Sequence, residues 1–266
     1  MNSRWFRFGL LPFFGILMLS GLLAGFFTRS IENALTLPAG HQNKVQPVIP
    51  PAASATPKVK SSPVATAQAS PTPTNIIAQD NFQRANQAFW GTASDGQPWD
   101  GDANKINVFS ITADTGQVAN GQGFYNAILG PGETDAEILF YGSISSFKGM
   151  NLGAVLRWVD TNNWYKAFID GNQLIILKKI NGAVTRLGAV AFSAQAGTFY
   201  ALRFRIVGTT LSAKVWRIDS AEPNAWMITG TDTDLSSGFG GLRVLLQKGG
   251  AVTVLSFLEI SIKATV

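Results

Sequence analysis

The stretch DTNNWYKAFIDGNQLIILKKINGAVTRLG, residues 160–188, decides how this chain folds. Asp170-Gly171 and Asn181-Gly182 each separate runs rich in Ile, Leu, Val and aromatic residues. Asp-Gly and Asn-Gly suit two-residue hairpin turns, whose central positions need positive φ. The stretch therefore reads as three antiparallel strands joined by two tight turns. With two-residue turns Tyr165 faces Ile176, Ala167 faces Leu174, Ile176 faces Leu187 and Leu174 faces Ala189. Side chains alternate along a strand, so these residues share one apolar face, the expected core. The opposite face carries Trp164, Lys166, Phe168, Ile175, Leu177, Lys179, Val184 and Arg186.

The pattern repeats around Gly208-Thr209. Leu202, Phe204 and Ile206 pair with Val215, Ala213 and Leu211 on a core face, while Arg203, Arg205, Lys214 and Trp216 point the other way. Arg203 opposite Lys214 is a like-charge pair, unfavourable unless an acid or a ligand lies nearby. Further runs of strand character occupy residues 123–129, 136–144, 152–159, 241–247 and 253–262. No long amphipathic helix interrupts them. Short strands at this spacing predict an all-β, two-sheet antiparallel sandwich, one domain over residues 75–266.

The residues missing from the chain narrow its chemistry. It has no cysteine, which removes disulfides, thiolate metal sites and cysteine nucleophiles. The only histidine, His41, lies outside the predicted domain, so carboxylates are the remaining conventional acid–base groups. A net charge of +5 suggests nucleic acid at first sight. Residues 1–74 account for all of it, with six basic groups against Glu32, while residues 75–266 hold 15 basic and 15 acidic groups. The domain has no net field to steer toward phosphate backbones.

Between Arg7 and Arg29 lie 21 uncharged residues, FGLLPFFGILMLSGLLAGFFT. As a helix this run spans about 31 Å, one hydrocarbon core. It is longer than the apolar stretch of a cleaved signal, and no A-x-A site follows it. Residues 1–29 are thus expected to be an uncleaved transmembrane signal anchor, with a cleaved signal peptide as the alternative. Arg4 and Arg7 before the span place the N-terminus inside and the rest of the chain outside the cell membrane. Residues 30–74 hold eight of the twelve prolines among Ala, Ser and Thr, and should form a disordered linker.

Several segments together resemble a known group. They are DNF (80–82), FWG (89–91), LRWVDTNNWYKAFIDG (156–171), YALRFRIVGTTLSAKVW (200–216), GFGGLRV (238–244) and SFLEISI (256–262). In this order they are similar to the concanavalin A-like lectin/glucanase superfamily, especially its laminin-G-like jelly rolls, over nearly all of residues 76–263. That superfamily includes lectins, carbohydrate-binding modules, adhesion domains and glycosidases, and fold does not choose among them.

Two segments offer chemistry within the resemblance. In GETDAEILF, Glu133, Asp135 and Glu137 would lie on one strand face, as in the E-x-D-x-E strand of laminarinase-type glycosidases. Retaining hydrolysis needs carboxyl groups about 5–5.5 Å apart, closer than i and i+4 on a flat strand. Pro131-Gly132 also puts Glu133 beside a turn, and Thr134 is polar where that family prefers an apolar residue. Asp100, Asp102 and Asn104 open like a calcium loop, but Lys105 replaces the glycine and Ile111 the terminal Glu. Structural calcium is common in the superfamily, and Asp80 and Glu259 become further candidate ligands if the first and last strands pair. No other cofactor is expected, since Walker, dinucleotide and G-x-S-x-G signatures are absent.

The expected function is an exported, membrane-tethered, non-catalytic module that binds glycan or another surface ligand. Its expected ligand platform is Trp164, Lys166, Arg186, Arg203, Arg205 and Trp216. A glycoside hydrolase and a purely structural surface domain are the alternatives. The membrane, through the N-terminal helix, is the second expected partner, and nucleic acid is not one.

Overall fold

A computed structural model describes residues 75–261, without the side chains of Ser256 and residues 258–261. The predicted anchor (1–29) and linker (30–74) lie outside the described residues. Among the described residues there is no helix, and so none long and apolar enough to cross a membrane.

In chain order the strands begin with β1 (Gln79–Asp80), β2 (Gln87–Ala88), β3 (Asp100–Gly101), β4 (Phe109–Thr112), β5 (Thr115–Ala119) and β6 (Gly123–Glu133). They continue with β7 (Ala136–Ile144), β8 (Leu152–Asp160), β9 (Asn163–Ile169), β10 (Gln173–Ile180) and β11 (Ala183–Ala191). The last are β12 (Tyr200–Val207), β13 (Thr210–Arg217), β14 (Ile228–Thr231), β15 (Gly238–Leu246) and β16 (Ala251–Ser261). They form two antiparallel sheets. The back sheet has nine strands, ordered β14-β13-β12-β7-β16-β5-β4-β2, with β1 beside β16. The front sheet has seven, ordered β11-β10-β9-β8-β15-β6-β3.

The core lies between the sheets and follows from alternation. Leu202, Phe204 and Ile206 of β12 and Leu211, Ala213 and Val215 of β13 are buried there, in the predicted register Leu202↔Val215, Phe204↔Ala213, Ile206↔Leu211. Tyr165, Ala167, Leu174 and Ile176 meet them from the front sheet. At one end Trp90 packs edge-on against Phe82, Trp99 and Phe109 at 4.8–5.0 Å. Beneath them Asp80 is fully buried and accepts from Arg84 Nη1 and Nη2 and from Trp99 Nε1 at 2.6 Å. Phe82 fills the space beside Gly116, where a Cβ would come within 2.6 Å of its ring.

The three-strand stretch keeps its faces but not its full register. Ala167, not Tyr165, is opposite Ile176, and Ile169 is opposite Leu174. The cause is Asp170, whose Oδ1 accepts from the N–H groups of both Asn172 and Gln173 at 2.9 Å. This Asx turn moves the two-residue loop one place on, to Gly171-Asn172 with Asp170 opposite Gln173, and so shifts the register by two. A shift of two preserves side-chain parity, so the core face survives. Asn181-Gly182 makes the expected turn, with φ of 49° and 86°. A bulge then separates Leu177↔Arg186 from Ile176↔Gly188. Leu174 therefore opposes Val190 rather than Ala189; Leu187 and Val190 pack on the core while Ala189 is exposed.

Candidate ligand groove

Parity places Trp164, Lys166 and Phe168 of β9 on the front sheet's outer face. Leu177 and Lys179 join them from β10, Val184 from β11, Arg243 from β15 and Phe124 from β6. With Asn151, just before β8, these side chains line a groove of about 190 Å³. Phe124 forms its exposed lip at 53% accessibility. The inner groups are covered: Lys166 is 2%, Trp164 4% and Arg243 5% exposed.

The polar groups inside are fixed by short contacts. Lys166 Nζ donates to Asn151 Oδ1 at 2.5 Å and lies 4.7 Å from the centre of the Phe168 ring. Arg243 donates through Nη1 to Asn126 Oδ1. Its guanidinium lies between two rings, 4.6 Å from Phe124 and 4.9 Å from Trp164. Burial pushes the Lys166 ammonium well below the usual lysine range, and the Arg243 charge adds to that. Burial likewise pushes Arg243 down to about 10. Aromatic walls with a few converging donors are the composition of a small-ligand site.

The expected six-residue platform divides between two faces. Trp164 and Lys166 belong to the front-sheet groove. Arg186, on edge strand β11, is exposed and donates to Gln173 Oε1 at 2.5 Å. Arg203, Arg205 and Trp216 lie on the outer face of the back sheet, across the core from the groove. Their charges are met locally. Arg203 bridges Glu137 at 2.6 Å and Glu222 at 2.8 Å, and Lys214 reaches Glu222 at 2.8 Å. Glu222 and Glu137 are thus the acids that relieve the Arg203–Lys214 pair. Arg205 lies 4.5 Å over the Trp226 ring. Trp216 is only 8% exposed and offers no free stacking face. Trp164 points outward as its parity requires, yet Arg243 and its neighbours bury it.

Glu133, Asp135 and Glu137 do not share a strand face. Glu133 ends β6, the chain turns, and Glu137 follows in β7. Asp135, in that turn, pairs with Arg157 at 3.3 Å and accepts the Gly208 N–H at 2.8 Å. The calcium candidates also have protein partners. Asp100 pairs with Lys105 at 2.8 Å, a contact that holds its carboxyl below the usual range. Asp102 accepts from Asn126 N–H at 2.8 Å, and Asn104 exchanges hydrogen bonds with Gly91. Asp80 carries the Arg84 and Trp99 bonds described above. Strands β1 and β16 do pair, with Asp80 opposite Phe257, but the Glu259 side chain lies outside the described residues. Among the described residues no three acidic or histidine groups cluster as a metal site.

Sequence reasoning missed Arg243, Asn151 and Phe124. The alternation in GLRVLL points Arg243 outward, but that alone does not show that the groove is where it arrives.

Neither a family model nor a curated protein matches the chain. Solved structures share its fold. The carbohydrate-binding module CBM66 from Bacillus subtilis is 17% identical, with a TM-score of 0.47, over 59% of this chain and 92% of that one. The GH43 protein BlXynB from Bacillus licheniformis is 15% identical, with a TM-score of 0.50, over 69% of this chain and 39% of that one. A β-glucanase from Bacillus licheniformis is 11% identical, with a TM-score of 0.48, over 70% and 97% of the two chains. The likeness to the GH43 protein is one of fold alone, and the chain spans well under half of that protein's length.

Proposed function

We propose that the described domain is a non-catalytic glycan-binding module and that the front-sheet groove is its binding site. The observation that carries this reading is the groove itself, about 190 Å³ walled by Phe124, Trp164 and Phe168 with amide and cationic donors among them. Aromatic faces match the C–H faces of a sugar ring, and the donors match its hydroxyls. The glycan-related names of the structural neighbours agree with this reading but do not carry it. The non-catalytic part is supported by the separation of Glu133, Asp135 and Glu137 and by the ion pairs that engage the last two.

The domain is further proposed to stand outside the cell. The uncharged span 8–28 would anchor it, and the proline-rich linker would hold it off the membrane. The test is a glycan array probed with the full chain in detergent, followed by a hydrolysis assay on every glycan bound. Binding that Phe124→Ala weakens about tenfold, without product formation, supports the module. Product release that depends on Glu133 or Asp135 would replace it with the hydrolase reading.

A further inference from the structure

The groove contains two buried cations and no carboxylate. Its lining includes Lys166, Arg243 and the more exposed Lys179, but no Asp or Glu. On an outer sheet face a lysine ordinarily extends to water. Lys166 instead turns under Phe124 and Phe168, and of its three donor positions Asn151 takes one. Arg243 Nε is buried with no partner among the described residues. Asp102 attracts Arg243 through space, and both are hydrogen-bonded to Asn126, but Asp102 does not line the groove. Ring faces attract a cation but do not neutralise it. Two like charges kept out of water around one cavity make a positive potential there, and low-dielectric walls focus it. The guanidinium fork and the ammonium are both suited to an oxyanion.

Resting on the reading of this groove as a glycan site, we propose that its ligand carries an anionic group, a carboxylate or a sulfate or phosphate ester on a sugar, seated against Lys166 and Arg243. Phe124, the exposed lip, then holds the ring while the two cations hold the acid. Burial depresses the proton affinities of Lys166 and Arg243, Asp102 offsets this only in part at Arg243, and a seated anion opposes both shifts.

The experiment compares acidic and neutral ligands on the same protein. The full chain in detergent is probed with an array of uronate, sulfated, phosphorylated and neutral glycans. Each hit is then titrated calorimetrically beside its methyl-esterified, desulfated or dephosphorylated form. The expected result is that acidic glycans bind and that removing the acid lowers affinity tenfold or more. The arm that responds identifies carboxylate, sulfate or phosphate. Lys166→Met and Arg243→Met should each lower acidic-glycan affinity by a similar factor, with near-ultraviolet circular dichroism confirming that they fold. The acid-against-neutral comparison needs no variant and stands if either fails to fold. Equal binding of acidic and neutral forms overturns the anionic inference and leaves the glycan reading intact. Binding to no glycan of either kind overturns both.

Discussion

The phenol of Tyr165 donates a 2.6 Å hydrogen bond to Asp232 Oδ1, across 67 residues of chain. The other oxygen of Asp232 accepts from Lys178 Nζ, which also reaches Asp234 at 2.6 Å. The Tyr165 oxygen in turn accepts the Leu235 N–H at 3.0 Å. A side chain expected only to fill the core therefore also ties the segment after β14 to strands β9 and β10. Burial, with the Asp232 bond, pushes the phenol up to about 12.

Tyr165→Phe keeps the ring and removes both hydrogen bonds. It should destabilise the domain by about 1–3 kcal/mol, the range for leaving buried polar partners unmatched. Tyr165→Ala adds a cavity and should cost about 3–5 kcal/mol. Denaturant unfolding measures both. A Phe variant as stable as the parent would show that the two Tyr165 hydrogen bonds contribute nothing.

The same cluster predicts acid sensitivity. Burial favours the neutral Asp232 acid, but hydrogen bonds from Lys178 and Tyr165 outweigh it and hold the carboxyl below its ordinary value of 3.8. A folded-state value below the unfolded one stabilises the fold above that ordinary value, and the contribution is lost as pH falls through the folded value. Melting temperature should drop as pH falls below about 4, and the Asp232 part of that slope should vanish in Asp232→Asn. An unchanged slope in Asp232→Asn would place the acid sensitivity elsewhere.

Phe124 is 53% exposed, so its loss should separate binding from stability. Phe124→Ala should change unfolding free energy by no more than about 0.5 kcal/mol, as surface substitutions do. It should weaken ligand binding about tenfold, or about 1.4 kcal/mol. Full affinity after this change would remove the lip from the site.

Trp164 should behave differently because it is 4% exposed and stacked with Arg243. Trp164→Ala should lose about 3–5 kcal/mol of stability as well as ligand binding. Trp164→Phe should recover part of both. A Trp164→Ala domain of parental stability would show that this ring is a free stacking platform.

The proposed anchor makes a cellular prediction. Full-length protein should sediment with membranes, and protease added outside intact cells should release the domain. A soluble mature protein beginning after residue 29 would favour a cleaved signal.

What could be read locally in the sequence was parity. The two-residue period of strands distinguished Tyr165 from Trp164, and the Asn181-Gly182 and Gly208-Thr209 turns set register at their own hairpins, because each depends on a few adjacent residues. The two-residue shift at Asp170 and the bulge at Leu187 were not legible. One arises from a side chain bonding its own backbone, and the other from how an edge strand meets the core. Short strands such as β2 and β3 carry too few residues to show a period. The groove was further from reach. Lys166 and Arg243 stand on strands β9 and β15, which only sheet order brings near one another, with β8 between them. Outward-facing basic residues looked alike along the chain. The tertiary fold separated them, giving Arg203 and Lys214 acidic partners on one face and leaving Lys166 and Arg243 buried among aromatic rings on the other. Alternation decides which side of a sheet a residue faces; the company it meets there is set by strand pairing over long separations, which no local pattern encodes.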